Sequence, residues 1–206
     1  MSALYVYAAA LEAGALAQRE DTLALGIGKT AATLTLTRRL AEADQPLPSA
    51  VILFGVAGAH AGGPEVGTVV VVDRDVLLDE GVQTPTGYTG LADLGLPMQT
   101  DARADAVLSA KVAAGLGVPC VSGSTVSTCS GVEALAASRA AAGGGQIETM
   151  EGAAVGIVCQ HFGVPWTAVR AISNRTGDRD AAGWDLDAAT AAVQAAVIRV
   201  MEGMDV

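Results

Sequence analysis

Short aliphatic runs alternate along the chain with longer stretches in which alanine and leucine recur at helical spacing. Leu4–Ala9, Thr22–Gly26, Val51–Val56, Thr68–Val72 and Thr167–Ile172 read as strands. Val51-Ile52-Leu53-Phe54 and Val69-Val70-Val71-Val72 are apolar at every position, so they suit a sheet covered on both faces. Thr30–Ala43, Ala102–Leu116, Gly131–Ala141, Glu151–Phe162 and Leu186–Met204 read as helices. The first stops before Pro46 and the fourth before Gly163 and Pro165, while Asp185 suits the N-cap of the last. Gly62–Pro64, Thr84–Gly90 and Gly143–Gly145 read as turns or loops. This alternation predicts an α/β protein around a central, mostly parallel sheet. Neither an internal repeat nor a linker divides the 206 residues, which predicts one compact domain spanning 1–206.

Composition narrows the function classes. Hydrophobic residues make up 51% and charged ones 17%, which excludes a disordered chain, and with only 3% aromatics the core must be aliphatic. Twelve basic against 22 acidic residues give a net charge of −10, so neither nucleic acid nor a membrane surface is an expected partner. Cys120, Cys129 and Cys159 form no disulfide framework and no thiolate metal spacing, and His60 and His161 stand far apart. The Ala8-Ala9-Ala10 run lacks a basic flank and meets Glu12 early, so it is not read as a signal peptide. No apolar run reaches the length of a membrane span. The expected location is the cytoplasm.

Four segments carry candidate chemistry. Gly26-Ile27-Gly28-Lys29-Thr30 suggests phosphate binding, but a P-loop needs glycine where Leu23 stands, and the dinucleotide fingerprint needs it at Ala31. A strand-to-helix turn is the better reading. Gly55-Val56-Ala57-Gly58 follows an apolar strand and forms either an ordinary turn or a small-residue loop that a ligand can approach closely. In Glu148-Thr149-Met150-Glu151-Gly152-Ala153-Ala154, Glu151 opens an apolar helix. It is either a first-turn charge favoured by the helix dipole or a buried carboxylate wanting hydroxyl donors, such as a ribose diol. Val169-Arg170-Ala171-Ile172-Ser173-Asn174-Arg175 begins as a buried strand and breaks into polar residues, where open α/β sheets place ligands. Glu12, just beyond the first strand, has the same placement.

Taken together, GIGK at Gly26–Lys29, VAGAH at Val56–His60, ETMEGAA at Glu148–Ala154 and RAISN at Arg170–Asn174 resemble the purine nucleoside phosphorylase/nucleosidase superfamily over essentially the whole chain. Within it the chain looks like a hydrolase of the methylthioadenosine/S-adenosylhomocysteine nucleosidase type. The run from Ser173 to Asp180 and on to Trp184 is similar to the branch that releases hypoxanthine from futalosine in an alternative menaquinone pathway. So are Asp79-Glu80-Gly81-Val82, the following Gly-Tyr pair and Leu94-Gly95-Leu96. The resemblance implies a three-layer α/β/α sandwich around a twisted mixed sheet, a homodimer, a purine nucleoside substrate, and no metal or organic cofactor.

It also implies roles. Glu12 matches the carboxylate that activates the attacking water. Glu151 matches the grip on the ribose hydroxyls, with Met150 under the sugar. Asn174 stands where adenine-cleaving relatives carry an aspartic acid, beside Ser173. Val126, Ser127, Ala57 and Gly58 fall along the base. Trp184, Arg175 and Arg179 are either a 5′-substituent pocket, the arginines taking a carboxylate, or a solvated charged turn with an anchoring tryptophan. Phosphorylases carry an arginine where Phe54 stands, and its loss favours water over phosphate as nucleophile. An adenine-releasing nucleosidase, a phosphorylase and a non-catalytic nucleoside binder remain the alternatives.

Overall fold

The computed structural model describes residues 2–85, 87–91, 93–96, 98–142, 145–178 and 183–203. Its strands are β1 (Leu4–Tyr7), β2 (Thr22–Ala24), β3 (Val51–Ala59), β4 (Val69–Leu77), β5 (Gly81–Thr84), β6 (Gly87–Gly90), β7 (Asp101–Arg103), β8 (Cys120–Thr125), β9 (Ile147–Thr149) and β10 (Trp166–Arg175). The helices are α1 (Ala10–Ala13), α2 (Lys29–Ala41), α3 (Ala106–Leu116), α4 (Glu133–Ala141), α5 (Gly152–Phe162) and α6 (Leu186–Gly203), with a 3₁₀ turn at Gly14–Gln18.

The main sheet runs β10-β4-β8-β9-β3-β1-β2, with β7 on β4, and β10 also pairs with β3. That extra pairing closes β10, β4, β8, β9 and β3 into a ring. The sheet is mixed: β10–β4, β3–β9 and β4–β7 are antiparallel, and the other pairings are parallel.

Strand periodicity divides the core into two layers. Val51, Leu53, Val70 and Val72 point to one face and meet Leu36 of α2 and Val155 and Val158 of α5. Ile52, Phe54, Val71 and Val169 point to the other and meet Val112 of α3 and Val193 and Val197 of α6. Successive side chains of a strand face opposite ways, so an unbroken aliphatic run serves both layers. The α/β/α sandwich around a mixed sheet is therefore present.

Several boundaries differ from the sequence reading. The supposed loop at Thr84–Gly90 contributes to the hairpin β5–β6. Ala102 lies in strand β7 rather than opening a helix, because α3 starts after Asp105, whose Oδ1 accepts from Leu108 N–H at 2.8 Å. β4 continues past Val72 through Asp73-Arg74-Asp75. Strands β8 and β9 have no counterpart in the sequence reading. The Gly143–Gly145 turn and the end of the last helix at Met204 fall partly outside the described residues.

Candidate active site

Two glycines on β3 set the geometry of the strand edge. β3 continues to Ala59, so Gly55-Val56-Ala57-Gly58 is strand, not a loop after one. Gly55 pairs with Arg170 of β10, and Gly58 pairs with Asn174. A Cβ at Gly55 would overlap both the Glu12 carboxylate and the Arg170 guanidinium. The bare backbone lets those two groups approach each other.

Glu12 sits in α1 and is 5% exposed. Its Oε2 accepts from Ala8 N–H at 3.2 Å and Ala9 N–H at 2.9 Å, and its Oε1 accepts from Val56 N–H at 2.9 Å. Three main-chain donors thus orient one carboxylate. Glu151, equally buried, is the residue immediately before α5, and its Oε1 accepts from Gly28 N–H at 2.8 Å. The GIGKT turn is therefore a strand-to-helix connection that presents a donor to Glu151. Lys29 of the same turn pairs with Asp79 and Glu80, each at 2.6 Å.

Arg170 lies 3.9 Å from Glu151 Oε2 and is 1% exposed. Among the described residues, its Nε and Nη2 find no hydrogen-bond partner. Burial pushes the Glu151 carboxyl up, the Arg170 guanidinium opposes that rise, and the Glu12 charge adds to it. Two carboxylates and one guanidinium thus share a buried corner just past the end of β1 and against the middle of β3 and β10, with guanidinium donors left over.

Asn174 is not in a turn. β10 runs on through Arg175, with a register shift against β3 between Ile172 and Asn174. Such irregularities re-aim side chains beside active sites. Asn174 Oδ1 accepts from Ser173 Oγ at 2.8 Å, and its Nδ2 donates to the Arg175 carbonyl at 2.8 Å. Ser173 Oγ is 3.3 Å from the Ala57 carbonyl. A cavity of about 170 Å³ opens at this point, lined among others by Gly58, Ser130, Glu148, Asn174 and Trp184.

The remaining expected site residues are distributed unevenly. Met150 is half-buried at the β9–α5 junction. Val126 is fully buried, and its N–H donates to the Thr149 carbonyl at 2.9 Å. Ser127 is exposed, and its N–H is taken by Asp79 Oδ2 at 2.6 Å. Trp184, 40% exposed, lies on the Asn174 cavity. Arg175 also lines it, but its guanidinium donates to the Gly63 carbonyl at 3.1 Å and lies 3.5 Å from Glu65. Arg179 lies outside the described residues.

Sequence reasoning passed over Arg170, Glu148 and Asp75 as site residues. Each is a charged residue in a strand with little exposure; for Arg170 and Asp75 a charge in or beside an apolar run was the available signal, whereas Glu148 stands among Gln146, Thr149 and Glu151 with no such run. Asp75 Oδ1 accepts from Thr125 Oγ1 at 2.8 Å, and Thr125 Oγ1 accepts from Ala153 N–H at 2.7 Å. Side chains at Gly123 or Gly152 would overlap its carboxyl. Burial pushes the Asp75 carboxyl up to about 7, against the Thr125 hydrogen bond and the Arg170 charge.

Comparison with known proteins identifies the family. A futalosine hydrolase of Thermus thermophilus is 35% identical over 187 residues, covering 87% of this chain and 80% of its own. One from Streptomyces coelicolor is 34% identical, covering 86% and 76%. The 5′-methylthioadenosine/S-adenosylhomocysteine nucleosidase of Neisseria meningitidis, solved with methylthio-immucillin-A, superposes with a TM-score of 0.82 at 19% identity, covering 98% of this chain and 99% of that one. The sequence model of the phosphorylase superfamily matches residues 13–202, and the chain belongs to that superfamily.

Proposed function

We propose that this chain hydrolyses the N-glycosidic bond of futalosine and releases hypoxanthine. The observation that carries the reading is the buried cluster of Glu12, Arg170 and Glu151, with Asn174 lining a cavity further along the same β3–β10 strand pair. The futalosine hydrolase relatives supply the substrate.

Cleaving this bond develops positive charge on the sugar and negative charge on the purine. Glu12, fixed by three main-chain N–H groups, takes the proton of the attacking water. Its two oxygens are already oriented, so little reorganisation accompanies the transfer. Arg170 balances the charge of the paired carboxylates and offers its free donors to the water or the sugar. Glu151 accepts from the ribose hydroxyls, with Met150 beneath the ring. Asn174 retains one N–H and one lone pair beyond its internal bonds. These suit O6 of hypoxanthine and the proton that N7 gains on departure. Ser173 holds the Asn174 amide, and Ala57, Gly58, Val126 and Ser127 form the backbone around the base. Trp184 supplies an aromatic wall. Phe54 is fully buried among the core residues of the α6 face; standing where phosphorylases carry an arginine, it supplies no charge for phosphate, which supports water as the nucleophile.

The same reading carries the expectation of a cytoplasmic homodimer. We assign the second copy to the groove that Leu34, Leu77, Met98 and Ile157 line together with Lys29, Glu80 and three threonines. Sedimentation tests that part. Hypoxanthine release from futalosine in phosphate-free buffer tests the activity. Release without phosphate supports hydrolysis, whereas a strict phosphate requirement contradicts it.

A further inference from the structure

We propose that Glu148 is a specificity-determining residue whose carboxylate accepts the N1–H of a 6-oxopurine in the cavity it shares with Asn174. The assignment rests on the nucleosidase reading above and supplies the part of base recognition that Asn174 cannot.

Register brings the groups together. Gly58 of β3 pairs with Glu148 of β9 on one side and with Asn174 of β10 on the other. Residues directly opposite one another in a sheet project to the same face, and neighbouring strands lie ~4.8 Å apart. A Cβ at Gly58 would meet Asn174 Nδ2 at 3.2 Å and Thr176 Cγ2 at 3.1 Å, so the bare backbone leaves the slot between the two outer strands, roughly 10 Å across, to the amide and the cavity. The cavity of about 170 Å³ occupies that slot, and Glu148 lines it while being only 6% exposed.

The carboxylate is held and charged. Oε1 accepts from Ser130 N–H at 2.7 Å. Oε2 accepts from Ser130 Oγ at 2.5 Å and from Arg139 Nη1 at 3.1 Å. Arg139 is 9% exposed and also donates to Ser130 Oγ at 2.9 Å, so the ion pair is fixed on both sides. An ionised carboxylate offers about four lone-pair sites and no proton. Three are used, and one is left on Oε1 of a residue that lines the cavity.

A 6-oxopurine presents an acceptor at O6 and a proton on the adjacent N1. A 6-aminopurine presents the reverse: an amino group and a bare N1 lone pair. An acceptor-only Glu148 matches the first and repels the second. Ser127 N–H, in the segment assigned to the base, is already bound to Asp79 and offers nothing to a bare N1. Asn174 reads O6 and N7, and Glu148 reads N1.

The test uses free bases with the intact protein in a calorimeter: hypoxanthine, 1-methylhypoxanthine and adenine. A hydrogen bond to a charged group predicts that wild type binds hypoxanthine roughly 10- to 100-fold more tightly than either of the others. Glu148→Gln, which keeps the shape and removes the charge, should narrow the hypoxanthine-to-adenine ratio by about tenfold or more. Equal binding of hypoxanthine and 1-methylhypoxanthine by wild type overturns the assignment, whether or not the variant folds. So does a folded Glu148→Gln protein with the wild-type ratio. If wild type releases hypoxanthine from futalosine but ignores N1, only the Glu148 assignment falls. If it binds no base at all, the nucleosidase reading falls with it.

Discussion

Replacing Asp75 by asparagine should flatten the pH dependence of stability and make the protein more stable above neutrality. Asp75 is 1% exposed and clamps two functional segments. Through Thr125 it joins the end of β8, next to Val126 and Ser127, to the first turn of α5, next to Glu151. Its carboxyl is raised from 3.8 to about 7 by burial. Below the unfolded value, both folded and unfolded chains carry the proton and nothing is lost. Between the two values only the native state holds it, so stability falls as pH rises toward the folded value and levels off above it. At 1.36 kcal/mol per pH unit the whole loss is ~4 kcal/mol, of which ~3 kcal/mol falls between pH 5 and pH 8. The amide introduced by Asp75→Asn is neutral at every pH, and its oxygen can still accept from Thr125, so the variant should not show this loss. Urea unfolding of both proteins at pH 5 and pH 8, at one protein concentration, reads the difference. A wild-type-minus-variant gap that is the same at both pH values would refute the reasoning. It would mean that Asp75 stays ionised in the fold, with Arg170 serving it rather than Glu151.

Three further outcomes follow from the site. Glu12→Gln should fold normally and lose base release by ~10²–10⁴-fold, as removal of a general base does; a loss under about tenfold excludes that role. Glu151→Ala should lower kcat/KM on ribonucleosides, and wild type should show a matching loss on 2′-deoxynucleosides; normal turnover by the variant reduces Glu151 to a helix-end charge. Asn174→Asp should shift preference toward adenine nucleosides, because a carboxylic acid can give a proton to N7 and then accept from the amino group; an unchanged ratio removes Asn174 from base recognition.

The sequence made the hydrophobic architecture legible where a single layer of cause operated. The unbroken aliphatic runs of β3 and β4 gave away a sheet covered on both sides, and Leu36, Val155 and Val158 sit in the core as the helical pattern requires. What it hid were strands whose interior positions are polar. In β8, Ser124 and Thr125 are buried, and Thr125 satisfies Asp75 rather than solvent, so no apolar alternation appears. β9 has three residues, one of them the buried Glu148, and its strand character comes from pairing with β3 and β8. Local pattern carries no record of such long-range partners.

The candidate site divides the same way. Glu12 and Glu151 stood out because each carboxylate lies at the junction of an apolar strand or helix. Arg170 stood inside a segment already read as buried strand, and only the register that puts it opposite Gly55 shows why a charge is tolerated there. Asn174 was legible as a residue but not in its setting, because the register shift after Ile172 keeps it in the strand and turns it toward the cavity. The opposition of Glu148 and Asn174 across Gly58 depends on three strands distant in sequence.

Hydrolysis of a 6-oxopurine nucleoside, with futalosine as substrate, is decided by comparing kcat/KM for futalosine and methylthioadenosine on the wild-type protein, with and without phosphate, by following free purine. Hypoxanthine should appear from futalosine, unaffected by phosphate, with a kcat/KM for methylthioadenosine lower by at least ~10²-fold, within the range that hydrogen-bonded specificity sites reach. Equal or faster release of adenine from methylthioadenosine would contradict it.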